Sequence, residues 1–170
     1  MLEGKNVNLR VVEKEDLPVI HEWDNNPDFR GEFEQLSQET RIDLERKYED
    51  LKDSQWFFVE KKDGTKIGFI AHFSSAGEIE LGYNIVPKER RKGYVTEAIK
   101  MMVDYIFLSK NVVRIQAKAD PENLASCKAL EKSAFKKEGV LRKTYYCKGK
   151  WKDDCMYSIL REEWKEPKIL

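Results

Sequence analysis

A basic, glycine-containing turn is the part of this chain whose residue types could bind a ligand. The turn reads Arg90-Arg91-Lys92-Gly93. Residues 78–85 before it alternate between apolar and polar, as in a half-buried strand, and residues 95–106 after it repeat at helical spacing. The first N–H groups of a helix lack intrahelical partners and its dipole makes that end positive, so phosphate oxygens are favoured there. The sequence predicts an anion site at which Gly93, without a Cβ, permits close approach to the backbone.

The two common nucleotide-binding motifs are absent from the sequence. Neither Gly-x-x-x-x-Gly-Lys nor Gly-x-Gly-x-x-Gly occurs. The ligand is therefore expected to carry phosphates that are anchored in another way. A basic loop that is simply solvated is the alternative interpretation.

Glu80 is the best candidate for a general base. It lies on the polar face of the strand that leads into the basic turn, where a carboxylate could take a proton directly or through water. The alternative is that Glu78 and Glu80 only line a solvated face of the sheet. If a helix covered that face, an unpaired carboxylate would be costly, which would favour a functional role.

The pattern of apolar and turn-forming residues predicts a mixed sheet with helices on its faces. Asp63-Gly64 signals a hairpin turn, Ser37 is a candidate N-cap, and Asp120-Pro121 is typical of a helix start. A turn is expected at 25–28. Strands are predicted over 6–12, 55–60, 66–74, 78–86, 112–118, 136–146 and 150–160, and helices from residue 16 and over 38–51, 92–108 and 120–133.

The composition is that of a globular protein with no overall charge. The 170 residues contain 31 basic and 31 acidic side chains and are 41% hydrophobic, so a single domain over 1–170 is expected. The charge balance predicts no nucleic-acid or membrane partner. Three cysteines without a CxxC pair, a charged N-terminus and no long apolar run predict a cytoplasmic protein without a metal site.

The basic turn also resembles a known cofactor loop. Residues 90–95 look like the acyl-CoA pyrophosphate loop, Arg/Gln-x-x-Gly-x-Gly/Ala, of the GNAT N-acetyltransferases. The resemblance continues in order through residues 7–10, 114–117, 120–126, 130–135, 138–142 and 157–164. Together these blocks resemble the branch that contains the ribosomal-protein N-terminal (Rim-type) acetyltransferases. Two residues depart from the family pattern. Val95 stands where the family usually has Gly or Ala, and Ala134 stands where it usually has Gly.

The resemblance implies a fold and a cofactor. The fold would be the α+β GNAT fold, with about seven strands in a mixed, largely antiparallel sheet and about four helices. A V-shaped opening between strands 78–86 and 112–118 would receive the pantetheine arm of acetyl-CoA. The acyl group would be attacked directly by an amine, so Cys127 need not be a nucleophile.

The resemblance also implies roles for individual residues. Glu80 would activate the amine, and Ser126 would orient the cofactor or protonate the thiolate. Many relatives carry a tyrosine acid where this chain has Leu130; Tyr145 and Tyr146 are weak substitutes. The cofactor would be bound by Ile85, Val86, Arg90, Arg91, Lys92, Gly93, Tyr94, Val95, Thr96, Asn123 and Ser126.

The acceptor amine is predicted to contact residues 21–35, where aromatic and acidic side chains are mixed. The candidates are Trp23, Phe29, Phe33 and Glu34, which suit a cation. An α-amine has a pKa of ~7.7–8.0, against ~10.4 for a lysine-like amine, so a protein or peptide N-terminus is favoured. The alternatives are a small amine such as a polyamine or an aminoglycoside, or a non-catalytic acyl-CoA-binding module. Either a monomer or a homodimer is compatible with the sequence.

Overall fold

The computed structural model describes residues 1–75 and 78–169 and contains one mixed sheet of eight strands. The strand order is β1-β2-β3-β4-β5-β6-β8-β7, and only β5 and β6 pair in parallel. The bounds are β1 Leu2–Glu3, β2 Val7–Val11, β3 Gln55–Lys61, β4 Lys66–Ser75, β5 Glu78–Ile85, β6 Arg114–Ala119, β7 Lys136–Cys147 and β8 Lys150–Leu160.

Five α-helices flank the sheet in the described part of the chain. They are α1 Leu17–Asp24, α2 Pro27–Arg30, α3 Arg41–Glu49, α4 Tyr94–Ser109 and α5 Leu124–Lys132, with short 3-10 turns at Lys14–Asp16, Pro87–Glu89 and Arg161–Glu163. The predicted α+β architecture is confirmed. The short elements β1 and α2 raise the counts above the expected seven strands and four helices.

Two hydrophobic cores lie on opposite faces of the sheet. Phe57 and Phe58 follow each other on β3, so their side chains point to opposite faces and enter different cores. The larger core packs α4 and α5 against one face, with Ile99, Met102 and Leu130 fully buried. The smaller core packs α1 and α3 against the other face through Leu17, Ile20 and Leu44. The sheet is thus the middle layer of three.

The neighbouring strands β5 and β6 part after a short contact. Their pairing runs from Ile79↔Ile115 to Leu81↔Ala117 and ends there. β5 continues to Ile85 on β4, whereas β6 continues on β8 as far as Ala119↔Cys155. The V-shaped opening expected between these two strands is therefore present.

Helix starts differ from the sequence prediction where a side chain makes a better cap. Thr40, rather than Ser37, precedes α3, because its hydroxyl and the Asp43 carboxylate bond each other's backbone N–H groups in a capping box. Asn123, rather than Asp120, caps α5 by accepting the Ser126 N–H at 3.1 Å. The predicted turn at 25–28 contains the start of α2.

Ala134 occupies a backbone conformation that normally requires glycine. Its φ is +69°, in the left-handed region, immediately after α5 and its C-cap Ser133. A Cβ in that region costs about 1–2 kcal/mol. Ala134 therefore adopts the backbone conformation that glycine would adopt here, at the cost of local strain and without a change of fold.

Replacing this alanine should stabilise the protein. Ala134→Gly relieves the left-handed strain but adds about 0.4–1 kcal/mol of unfolded-state entropy, so we expect a net gain of about 0.5–1 kcal/mol in urea unfolding. Ala125→Gly, at an exposed position in the first turn of α5, is the matched control and should lose up to about 1 kcal/mol. Equal losses for both variants would contradict the interpretation.

Candidate active site

The basic turn forms an open helix start at one side of a large cleft. Gly93 is the N-cap of α4 with φ +86°, and Arg91 before it is also left-handed at φ +63°. The first intrahelical bond joins the Glu97 N–H to the Gly93 carbonyl at 3.2 Å. The N–H groups of residues 94–96 therefore face out of the helix into a cleft of about 990 Å³. Residues 94–96 line this cleft, with the geometry that an anion site requires.

A buried carboxylate supports this loop from below. Glu89 is 8% exposed and accepts hydrogen bonds from Lys61 at 2.7 Å and Lys92 at 2.8 Å. These two cations hold the pKa of Glu89 below its usual range. Lys92 is consequently fixed beside the loop while half of its side chain stays exposed at the cleft.

Arg90 lines the cleft, but its guanidinium is committed to main-chain carbonyls. It donates to Ile85 O at 2.8 Å and to Phe29 O at 2.6 Å. The prediction that Arg90 grips a pyrophosphate is therefore corrected: Arg90 ties the loop to β5 and to α2. Arg91, which is exposed, and Lys92 are the cations placed for an anion.

The main-chain groups predicted to hold the pantetheine arm already have hydrogen-bond partners within the chain. The Val86 N–H bonds to Ile67 O on β4, the Ile85 N–H bonds to Asn84 Oδ1, and Ile85 O accepts from Arg90. Because successive peptide groups alternate in direction along a strand, the groups of Tyr83 point into the opening beside β6. The structure thus corrects Ile85 and Val86 and offers Tyr83 instead.

A hydroxyl pair lies on the α5 side of the opening. The Tyr83 hydroxyl is 2.8 Å from Ser126 Oγ, and Asn123 fixes the backbone of Ser126 from the helix cap. Burial raises the pKa of Tyr83 well above its usual value, so its proton is retained. Ser126 and Asn123 are brought together as predicted. Tyr83 was missed because its place in the period of two is that of a core residue.

Glu80 lies on the other face of the sheet. Tyr83 packs towards the larger core, and Glu80, of opposite parity on β5, projects to the face that carries α1 and α3. Its carboxylate accepts from Gln116 Nε2 at 3.2 Å and is 3.0 Å from Lys118 Nζ. Asp154 of β8 lines the same cleft, and desolvation raises its pKa. Carboxylates and a hydroxyl pair therefore flank the opening from opposite faces.

The four predicted acceptor residues separate into two groups. Phe33 and Glu34 line the cleft, as expected. Trp23 and Phe29 do not: their rings stack at 4.8 Å, Phe29 is 2% exposed, and Trp23 packs against the smaller core. Their role is corrected from amine binding to packing, because the apolar environment under α1 and α2 is where large aromatic rings lose most water contact.

The remaining candidates for acid or nucleophile are unsuitable. The Tyr145 hydroxyl donates to Asp120 at 2.6 Å, and burial together with this carboxylate raises the pKa of Tyr145. Burial also raises the pKa of the Cys127 thiol, and Leu130 is fully buried in the larger core. Tyr146 makes an edge-to-face contact with Trp151 at the exposed end of the β7–β8 hairpin.

The described residues offer neither a metal site nor a membrane-spanning helix. Among residues 1–75 and 78–169, no group of three or more His, Cys, Asp or Glu side chains could hold a metal ion. Within the same ranges, no helix is long and apolar enough to cross a membrane.

Comparison with known proteins adds a family and several relatives. Residues 6–136 match the family model described as "Acetyltransferase (GNAT) domain". An uncharacterized N-acetyltransferase p20 of Bacillus licheniformis is 31% identical, covering 96% of this chain and 97% of that protein. A spermidine N(1)-acetyltransferase of Escherichia coli is 27% identical over 96% and 91%. A spermidine N-acetyltransferase of Vibrio cholerae, solved with CoA and spermine, superposes with a TM-score of 0.84 at 25% identity over 95% and 99%.

Two glycines test the loop. Gly93 and Gly64 have φ of +86° and +83°, and a Cβ at either meets nothing within 4 Å. Gly93→Ala and Gly64→Ala should each lose about 1 kcal/mol in urea unfolding through left-handed strain. Only Gly93→Ala should weaken coenzyme A binding in a calorimetric titration, by about fivefold or more, because it disturbs the N–H groups at the start of α4. Equal coenzyme A affinity in both variants would show that the loop at Gly93 does not bind the cofactor.

Proposed function

The chain belongs to the GNAT family of acetyltransferases, and on that basis we propose that it acetylates a small cationic amine of polyamine type. The predictions of an enzyme and of acetyl-CoA as its donor are confirmed by the family. The residues of the cleft fit that donor: an open helix start, Arg91 and Lys92 suit its phosphates, and the unpaired edge of β5 suits its arm. Bound acetyl-CoA supplies the activated acetyl group.

The observation that carries the proposal is the acidic acceptor side of the cleft. Glu34, Glu80 and Asp154 all line it. Glu34 keeps about half of its side-chain surface in contact with solvent and lies 3.7 Å from Arg30, and desolvation still raises the pKa of its carboxylate. The pKa of Asp154 is raised for the same reason. Carboxylates whose charge is poorly solvated are stabilised by an ammonium ion, and several of them suit a ligand with several ammonium groups.

A bridge over the cleft favours a slender acceptor. The loop 31–35 after α2 meets the β7–β8 hairpin, where the Cys147 thiol is 3.2 Å from Glu34 O and Lys148 Nζ donates to Gly31 O at 3.0 Å. Phe33, on the same loop, faces Lys152 of β8 at 5.8 Å. A linear amine fits beneath this bridge more readily than the folded surface around a protein N-terminus.

The relatives support the same acceptor class. Spermidine acetyltransferases occur both among the curated relatives and among the similar structures, and one of the latter contains spermine. The Rim-type resemblance and the α-amine expected from it remain a second candidate. The lower ordinary pKa of an α-amine, ~7.7–8.0, is the physical argument for it, since less basicity has to be overcome.

The proposed division of labour follows the two faces of the sheet. Glu80 accepts the amine proton from the face that carries the acidic acceptor side. Ser126, hydrogen-bonded to Tyr83, supplies a proton to the departing thiolate from the α5 face. The Tyr83–Ser126 pair would thus stand in for the tyrosine that Leu130 replaces.

A panel of amines tests the acceptor class. We expect thiol release from acetyl-CoA to be faster, as kcat/KM, with spermidine than with a peptide bearing a free α-amine or with an aminoglycoside. Asp154→Asn should raise the KM for spermidine about fivefold, the scale of one partly solvated charge pair. Asp153→Asn is the matched control. Asp153 is the residue next to Asp154 on β8, so its side chain points to the opposite face of the sheet. Preference for the peptide in this assay would select the second candidate.

The hydroxyl pair makes a separate prediction. Ser126→Ala and Tyr83→Phe should each lower kcat about tenfold to a hundredfold, while the double variant is little slower than either, because the two hydroxyls act as one unit. Single-turnover kinetics at saturating substrate measure this. Tyr105→Phe, which removes a hydroxyl bonded to Gln55 at 3.0 Å outside the cleft, is the control. Additive losses would show that the hydroxyls act independently.

A further inference from the structure

The carboxylate assigned as proton acceptor already has an ammonium partner within the chain. Lys118 Nζ lies 3.0 Å from Glu80 Oε2 and 3.4 Å from Glu80 Oε1. Both residues line the cleft, and their side chains are 38% and 33% exposed. A primary ammonium on a flexible stem is chemically the same group as the acceptor that the enzyme would bind.

The position of this ion pair in the sheet is at the start of the opening. The last paired residues of β5 and β6 are Leu81 and Ala117, and Lys118 is the next residue along β6. Lys118 has the parity of Gln116, which pairs with Glu80 across the strands, so it lies on the same face as Glu80. The ammonium therefore stands on the acceptor side, where the strands begin to separate.

The charges around Lys118 come from several elements. Desolvation is the largest effect on the pKa of Asp154 of β8 and raises it. The nearby charge of Lys118 lowers this pKa, and that of Glu80 raises it. Glu34 of the bridging loop lines the same side. Asp120 is already satisfied by Tyr145 and Lys152. Lys118 is thus the cation that contacts Glu80, whereas Arg30 lies 3.7 Å from Glu34.

We propose that Lys118 is a resident cation in the acceptor subsite, which the ammonium group of the substrate must replace on Glu80. The inference rests on the proposed function, because it takes Glu80 as the contact of the acceptor amine. Lys118 then sets acceptor affinity: every cationic acceptor binds in exchange for an internal ion pair, so binding is weaker than the acidic cleft alone would give. Its side chain, partly exposed, can turn to solvent when it is released.

Binding of spermidine without acetyl-CoA tests the exchange. In titration calorimetry, Lys118→Met should bind spermidine about fivefold to tenfold more tightly than the natural enzyme, because no internal cation has to leave. Lys118→Arg, which keeps the charge, should stay within about twofold of the natural enzyme. Lys14→Met is the matched control, since it breaks an ion pair with Glu49 (2.9 Å) far from the cleft. Unchanged or weaker binding by Lys118→Met overturns the proposal.

Kinetics separate exchange from a structural role. With the acceptor that is turned over, Lys118→Met should lower the acceptor KM by the same factor and leave the acetyl-CoA KM unchanged. A structural role would instead lower kcat or raise both KM values, and that result overturns the proposal.

Direct observation of the lysine ammonium groups by heteronuclear NMR does not depend on turnover. The Lys118 signal should move to that of a solvated lysine as spermidine is added, or butylamine as a simpler cation. An unmoved signal at saturation overturns the exchange. If spermidine is not acetylated but either amine displaces Lys118, the proposed acceptor fails and the inference stands.

Discussion

The separation of β5 from β6 after Leu81 and Ala117 is the constraint on which the rest of the site depends. β5 stays with β4 and β6 stays with β8, so the sheet opens without losing either strand. Unpaired strand groups are tolerated only where something else can bond them. The opening therefore exposes peptide groups of β5 to a ligand and places side chains of both faces beside it.

The loop at the start of α4 is held in place by buried polar contacts that two of its own cations, Arg90 and Lys92, make with the rest of the chain. Glu89 fixes Lys61 and Lys92, and Arg90 joins the end of β5 to Phe29 of α2. Gly31 has φ +77°, and a Cβ at this position would lie 3.3 Å from Arg90 Nη1. The cofactor side and the loop that bridges the acceptor side thus share one arginine, which couples their positions.

Local patterns predicted the elements whose signals are local. The Asp63-Gly64 hairpin, the alternating strand before the basic turn and the long helix after it are present, since each depends on neighbouring residues. The starts of α3 and α5 differ from the prediction because Thr40 and Asn123 cap these helices through side-chain hydrogen bonds. Sequence alone does not show which of several possible capping residues makes such a bond.

Long-range contacts explain what the sequence did not predict in the site. The ion pair of Lys118 with Glu80 requires strands that are distant in sequence to become neighbours. Tyr83 has the parity of a core residue, and only its approach to Ser126 distinguishes it. Trp23 and Phe29 show the reverse error: an aromatic and acidic segment suits a cation binder, but Trp23 packs against the smaller core and Phe29 stacks on Trp23.

The placement of the acidic acceptor side and the Tyr83–Ser126 pair on opposite faces of one sheet has a consequence for turnover. In the proposed reaction the acetylated amine and the thiol product would therefore form beside groups on opposite faces of the sheet. Neither product has to pass the other in order to depart. Under that proposal, sterics alone impose no obligatory order of product release.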